Sequence, residues 1–397
     1  MPKLHSLKGK VQNYAWGGAS YIPSLLNISA EDKPYAEYWL GAHNNAPSML
    51  DSGETLNEYI NTNSQAILGS SIDEKFGRLP FLFKVLDVND MLSIQVHPTK
   101  AEAEKGFAKE NELGIPITAA HRNYKDDNHK PEIMVALSEF WLLHGFLPKT
   151  KLKETITNTT ELKRLIPTFE DGGYKGLYQA VMEESDEQTE KVLRPLVERV
   201  LPKYEAGALD KSSADYWAAK AFKTFCLDGK LDKGIYSIYF FNIVKVNAGE
   251  AVFQDAGIPH AYMEGQNMEL MANSDNVLRG GLTPKHVDVP ELLKHVAFEE
   301  THPNIMQGEL QADGLERIYK SPAPDFELSK IDLKNGDEYI NTSRTAEILI
   351  VLQGEVSITQ SNTEVDRSKG EAVFVAAEAE YSIQTKNEAV LYKATAP

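Results

Sequence analysis

The sequence predicts a mainly β protein with a helical insertion, and three observations support that class. Strand-like runs broken by turn residues fill the chain up to about residue 148. Charge-rich segments with apolar residues at three- and four-residue spacing follow to about 231, and strand-like runs resume from about 234. At 397 residues the chain is too long for one ordinary core, so the helices read as inserted between two parts of a β domain, with a further β unit after it.

The elements follow in order. "PFLFKVL" (80–86), "EIMVAL" (132–137) and "FWLLHGF" (140–146) are apolar runs of strand length. "MLSIQVHPTK" (91–100) alternates apolar Leu92, Ile94 and Val96 with polar Ser93, Gln95 and His97, and Pro98 ends it. From 149, "KLKETITNTTELKRLI", "GYKGLYQAVM" and "EQTEKVLRPLVERVLPKY" are amphipathic helices, and the serines of "SSADYWAAKAF" suit a helix cap. Strands return with "GIYSIYFFNIVKV" and, from 346, "AEILIVLQGEVSIT". The expected segments are 1–148 and 232–320 for the first β domain, 149–231 for the helical insertion and 321–397 for the second β unit.

A short repeat supports two β units. "GEAVFQDAGIPHAY" from Gly249 and "GEAVFVAAEAEYSI" from Gly370 share five residues, with His260 and Tyr381 at equivalent positions. A Gly-Glu turn before an apolar strand is also a common pattern by itself. The glycine, strand and Gly-x-x-His series resembles the second half of the cupin pattern, in which a jelly-roll strand and turn present a metal-binding histidine. Asp255 stands where cupins often carry proline.

Composition narrows the function. With 42% apolar and 25% charged residues, and no stretch of about eighteen apolar residues, the chain reads as a globular protein without a membrane span. The N-terminal "MPKLHSLKGKVQNYAWGG" lacks the apolar core of a secretory signal, so a cytoplasmic protein is expected. The single cysteine, Cys226, excludes an internal disulfide and suits packing. A net charge of −17 opposes nucleic acid and anionic lipid, so an anionic ligand needs locally concentrated basic residues.

Three clusters carry chemistry. On a strand, Ser93, Gln95 and His97 face one way at spacings of about 7 Å. "DDNHKPEIMVAL" sets His129, Lys130 and Glu132 at the head of an apolar strand, and "GIPHAY" offers His260. Gln95, His97, Glu132 and His260 together supply two imidazoles, a carboxylate and an amide oxygen, a donor set for a divalent metal with zinc the first candidate. The stretch starting "MELMANSDNVLRGGLTPK" at Met268 gathers Glu269, Asp275, Arg279 and Lys285 among Asn, Ser, Gly and Pro. Such irregular backbone suits a site; the alternative is a solvated loop leading to a helix capped near Asp288 or Pro290.

Taken in order, "VQNYAWGG", "PFLFKVL", "LSIQVHP", "NHKPE", "PHAY" and "MANSDNVLRGGLTPK" closely resemble type I phosphomannose isomerase over roughly residues 8 to 295. The resemblance implies two cupin-like jelly-roll β domains with an inserted α-helical domain. It implies one zinc per chain, held by Gln95, His97, Glu132 and His260, with Arg279 catalytically important and Lys285 its neighbour. Trp16, Ser93, Lys100, Lys130, Tyr262, Glu269 and Asp275 match residues of the family's pocket, and Gly280 replaces a commoner Ala.

The implied reaction interconverts mannose 6-phosphate and fructose 6-phosphate through an enediol, with no redox cofactor. Arg279 suits stabilisation of the enediolate. Glu269, Asp275, the His129-Lys130 pair and a zinc-bound water all stay open as the base. Ser93, Lys100 and Lys285 are expected at the phosphate. Two rivals differ in class: a non-haem iron oxygenase, against which Gln95 fills a position that oxygen needs, and a non-catalytic sugar-phosphate sensor. The unit 321–397, with Tyr381 in place of His260, is expected to be structural and metal-free, and the chain to be a monomer without nucleic-acid or membrane partners.

Overall fold

The computed structural model describes residues 3–397. Two β barrels lie side by side, with helices packed against the first. The first barrel is built on a ten-stranded sheet, and the second on an eight-stranded and a four-stranded sheet. Strands buried on both faces explain the continuous apolar runs read from the sequence. In Phe81–Val88, residues Phe81, Phe83 and Val85 join the core between the barrels, whereas Leu86 and Val88 join the interior of the first. The strand Glu132–Ala136 divides likewise, with Ile133 and Val135 between the barrels and Met134 and Ala136 inside. Lys84 and Glu132 therefore point into the first barrel, polar side chains among apolar Leu86, Val88, Met134 and Ala136 of the same two strands.

The insertion runs from the helix Lys149–Asn158 to the helix Ala214–Phe225, whose start is capped by Ser213 accepting from the Asp215 N–H. Trp217, Leu193 and Tyr178 bury completely in one core that also takes Leu143 and Phe146 from the strand Phe140–Phe146. Cys226 is buried there and its thiol is pushed up to about 11 by burial, in keeping with a packing role.

Several elements differ from expectation. Gly234–Phe240 is a helix, not a strand, and only Phe241–Val246 continues as strand. All seven residues of that helix are buried, and a short run that is apolar but for Ser237 has no periodicity to separate the two states. The region before 148 also holds the helices Leu56–Thr62, Ser64–Leu68, Ser70–Phe76 and Lys100–Glu112. In the 91–100 stretch only Gln95–Val96 is strand, and Leu92, partly buried against the cluster inside the first barrel, also lines a pocket. The second barrel's sheet takes Leu4–Lys8 from the N-terminus and Glu316–Tyr319 from before residue 321, so segment ends drawn at 1 and 321 cut across its pairing. Chain order could not reveal a strand that pairs with its partner more than 360 residues later.

The repeat is reproduced in strand register. Gln254 pairs with Glu132 in the first barrel as Val375 pairs with Glu347 in the second. From that anchor Lys393 takes the place of Glu269, Ser329 that of Lys84, and Glu316 that of Glu37. The second interior is a closed polar network. Tyr381 donates to Glu347 at 2.6 Å, Lys393 lies 2.8 Å from Glu316, and Tyr339 donates to Glu316 at 2.9 Å. Burial opposes charge on Lys393, yet Glu347, Tyr339 and Glu316 hold it protonated. Lys393→Met strips the cation from two buried carboxylates, and a loss of about 3–5 kcal/mol is expected from the folded chain. Thermal or urea unfolding checks this, with the metal content of the chain expected to stay unchanged.

Candidate active site

A cleft of about 590 Å³ opens between the first barrel and the insertion. It leads to an inner chamber of about 60 Å³. Glu37, Lys84, Leu92, Gln95 and Lys130 line both, so the two spaces adjoin. Strand pairing carries a polar row across the mouth of the barrel: Arg279 lies opposite Gln95, Gln95 opposite His260, and His260 opposite His144.

His97, Glu132 and His260 converge, buried, with ligand atoms all within 4.8 Å of one another. His97 Nδ1 lies 2.8 Å from the carbonyl of Asn276, and His260 Nδ1 lies 2.9 Å from that of Ile258. A carbonyl only accepts, so each Nδ1 carries a proton, which leaves Nε2 as the atom of each ring able to offer a lone pair. Those Nε2 atoms have no hydrogen-bond partner and lie 3.3 and 3.4 Å from the two Glu132 oxygens. Burial pushes His97 down to about 4, keeping it neutral. Burial alone would raise the Glu132 carboxyl, but Lys130, 3.0 Å away, holds it well below the usual range. Two lone pairs facing one carboxylate repel unless a cation joins them, and imidazole nitrogens with a carboxylate oxygen fit zinc. Gln95 lines the adjoining chamber wall.

The loops behind these ligands are cross-stitched. Asp126 accepts from the Ser274 hydroxyl at 2.8 Å and the Asp275 N–H at 2.7 Å. The Asn276 side chain accepts from the Lys125 N–H and donates to the carbonyls of Asp126 and Asn128. This pins the carbonyl that orients His97 to the loop that leads into Lys130 and Glu132. It also explains why a run of Asn, Ser and Asp forms ordered backbone here.

The sequence reading missed Lys84. Its ammonium lies 2.9 Å from Glu269 and 3.5 Å from Glu37, over the ring of Trp39. Burial opposes its charge, yet Glu269 and then Glu37 hold it above the ordinary lysine range. Burial raises the Glu269 carboxyl, and Lys84 acts against that. A lone lysine amid "PFLFKVL" was the available signal. His43 was also missed; it lies 3.3 Å from Asp275, whose carboxyl it holds down against burial.

Trp16, Ser93, Gln95, Lys130, Asp275, Arg279 and Lys285 line the cleft, and Tyr262 and Glu269 line the chamber. Burial lowers the pKa of Arg279, and burial followed by Arg279 lowers that of Lys285. Two expected residues stand apart. The Lys100 ammonium starts an outer helix and donates to the Asp127 carbonyl at 2.9 Å, half exposed and outside the cleft wall. His129, next to Lys130 but facing the other way, lies 2.8 Å from Asp325 in the second barrel. Neighbouring side chains in extended backbone alternate, so Lys130 and His129 cannot share a site. His129→Ala is therefore expected to leave kcat/KM within about twofold while costing about 1–3 kcal/mol by stranding buried Asp325; kinetics and urea unfolding of one preparation test both.

The family model "Phosphomannose isomerase type I, catalytic domain" matches residues 4–149. Mannose-6-phosphate isomerase of Escherichia coli (strain K12) is 36% identical over 382 residues, covering 94% of this chain and 95% of that one. The Mus musculus mannose-6-phosphate isomerase is 33% identical over 432 residues, covering 100% and 96%. The crystal structure of mannose 6-phosphate isomerase from Salmonella typhimurium bound to substrate (f6p) and zinc is 33% identical, covers both chains fully and has a TM-score of 0.88. Similarity that runs the length of both chains, on the same fold, means that this chain belongs to the type I phosphomannose isomerase family.

Proposed function

We propose that the protein interconverts mannose 6-phosphate and fructose 6-phosphate by moving a proton between C2 and C1, with one zinc ion held by Gln95, His97, Glu132 and His260. The observation that carries this reading is the pair of imidazole lone pairs aimed at one buried carboxylate beside a cationic cleft. The names of the full-length relatives and the zinc- and f6p-bound Salmonella structure support the metal and the substrate.

Zinc bound there supplies a Lewis acid for the sugar's carbonyl oxygen and the hydroxyl beside it. The remaining roles fall to side chains. Lys285 and Ser93 receive the phosphate in the cleft, where a dianion offsets the crowding of Lys285 against Arg279. Arg279, opposite Gln95 in register, donates to the oxygens on which enediolate charge develops. Glu269 takes the proton from one carbon, exchanges it with solvent and delivers a proton to the other, while the hydroxyl proton passes between the two adjacent oxygens: burial lifts its carboxyl toward neutrality, and Lys84 orients it. Asp275 is held low by His43 and serves that role less well.

The enzyme is a cytoplasmic monomer in this reading, without nucleic-acid or membrane partners. The net charge of −17 supports exclusion of polyanions, and among the described residues no helix is long and apolar enough to cross a membrane. Reaction in deuterated water tests the proton route: deuterium at C2 of mannose 6-phosphate or C1 of fructose 6-phosphate is expected, and lost in Glu269→Gln. Complete transfer of the C2 hydrogen, with no solvent label in either sugar after long incubation, would overturn it.

A further inference from the structure

The segment that bears Arg279 and Lys285 is tied to the insertion through one carboxylate. Asp232 lies just beyond the insertion's helices. Its Oδ1 accepts the Gly234 N–H at 2.7 Å and the Leu282 N–H at 2.8 Å, and its Oδ2 accepts the Thr283 N–H at 3.1 Å. The two backbones are in close contact here. A Cβ on Gly234 would sit 2.6 Å from the Leu282 nitrogen, and one on Gly281 would sit 2.6 Å from Gly234 Cα.

The turn held this way is strained. Leu282 has φ 52° and is buried; a bulky side chain in the left-handed region costs about 1–3 kcal/mol and persists only when its surroundings enforce it. Gly281 precedes it at φ 111°. On the other edge, Gly280 N–H donates to the Ile94 carbonyl at 2.9 Å and Ile94 N–H to that of Gly281 at 3.1 Å, between Ser93 and Gln95. Asp232 therefore clamps one edge of a turn whose other edge is the strand bearing the metal-facing Gln95. The turn separates Arg279 from Lys285, and both line the cleft, as do Thr224 and Phe225 of the insertion.

We propose that Asp232 is a positioning residue for the isomerisation, holding the Gly281–Thr283 turn so that Arg279 and Lys285 together address the reacting carbons and the phosphate. This rests on the function proposed above. Arg279 acts on the transition state and Lys285 on bound substrate, so one displaced turn shifts kcat and KM together. A displacement of about 1 Å can cost on the order of 100-fold.

The test compares zinc-loaded wild type with Asp232→Asn and Asp232→Ala, by kcat, KM for mannose 6-phosphate, zinc content and thermal unfolding. An Asn oxygen can serve Gly234 and Leu282, but its NH2 faces the Thr283 N–H donor to donor. The expected result is a graded loss: about 10-fold in kcat/KM for Asn and about 100-fold for Ala, with KM raised, kcat lowered and zinc content unchanged. Should the Ala variant not fold, the isosteric Asn variant decides. Folded, zinc-loaded variants with kcat and KM within twofold of wild type would overturn the proposal, as would losses that merely track lost zinc. An inactive wild type would instead refute the isomerase reading itself.

Discussion

His260→Ala lowers kcat/KM by at least about 1,000-fold, because the several kcal/mol that a polarising cation contributes to the transition state corresponds to that factor. The same is expected of His97→Ala and Glu132→Ala. The protein stays folded, because the barrel core does not depend on these side chains: the interior apolar cluster of Met134, Phe140, Leu142 and Val252 is independent of them. A second readout separates metal loss from misfolding. In wild type, zinc at 100 times its dissociation constant adds about 2.7 kcal/mol of stability by mass action. His260→Ala loses that increment while its metal-free stability stays close to wild type, since it also removes the repulsion between the Nε2 lone pair and Glu132 at 3.4 Å. Zinc-dependent melting that persists in the variant would move the metal elsewhere.

Arg279→Lys lowers kcat by about 100- to 1,000-fold, the range for removing one preorganised donor to a developing oxyanion. Lysine keeps the charge but loses the planar fork that can address two oxygens at once. Arg279 is half-buried and, among the described residues, has no carboxylate partner; burial lowers its pKa. Its donors are therefore free for substrate. Lys285→Ala is the contrast: with its role confined to the phosphate, KM rises while kcat changes little. A raised KM with unchanged kcat in Arg279→Lys would assign Arg279 to binding alone.

Much of the site was legible because its residues sit in short, chemically unusual words. Gln95 and His97 fall on the polar side of an alternating stretch, and Glu132 and His260 each open a strand, so local pattern alone put four donors at strand ends. The repeat from Gly249 and Gly370 was visible because both copies keep the same turn and strand. Lys84 escaped because its partners, Glu37 and Glu269, lie on strands far away in sequence, and only cross-strand register joins them. His129 misled for the converse reason. Adjacency in sequence to Lys130 suggested a pair, but alternation sends it to Asp325 in the other barrel. Lys100 misled because Pro98 ends the strand and Thr99 caps a helix, which carries the lysine outward. The helix Gly234–Phe240 shows the limit of periodicity: a run buried on every side leaves no polar face to count.

The most direct test of the account follows fructose 6-phosphate formation from mannose 6-phosphate by the purified protein, before chelation, after chelation and after zinc is restored. Turnover is expected to disappear with the metal and to return on adding about one zinc per chain. Turnover undiminished in protein shown to be free of metal, or none in the zinc-loaded protein, would contradict that expectation.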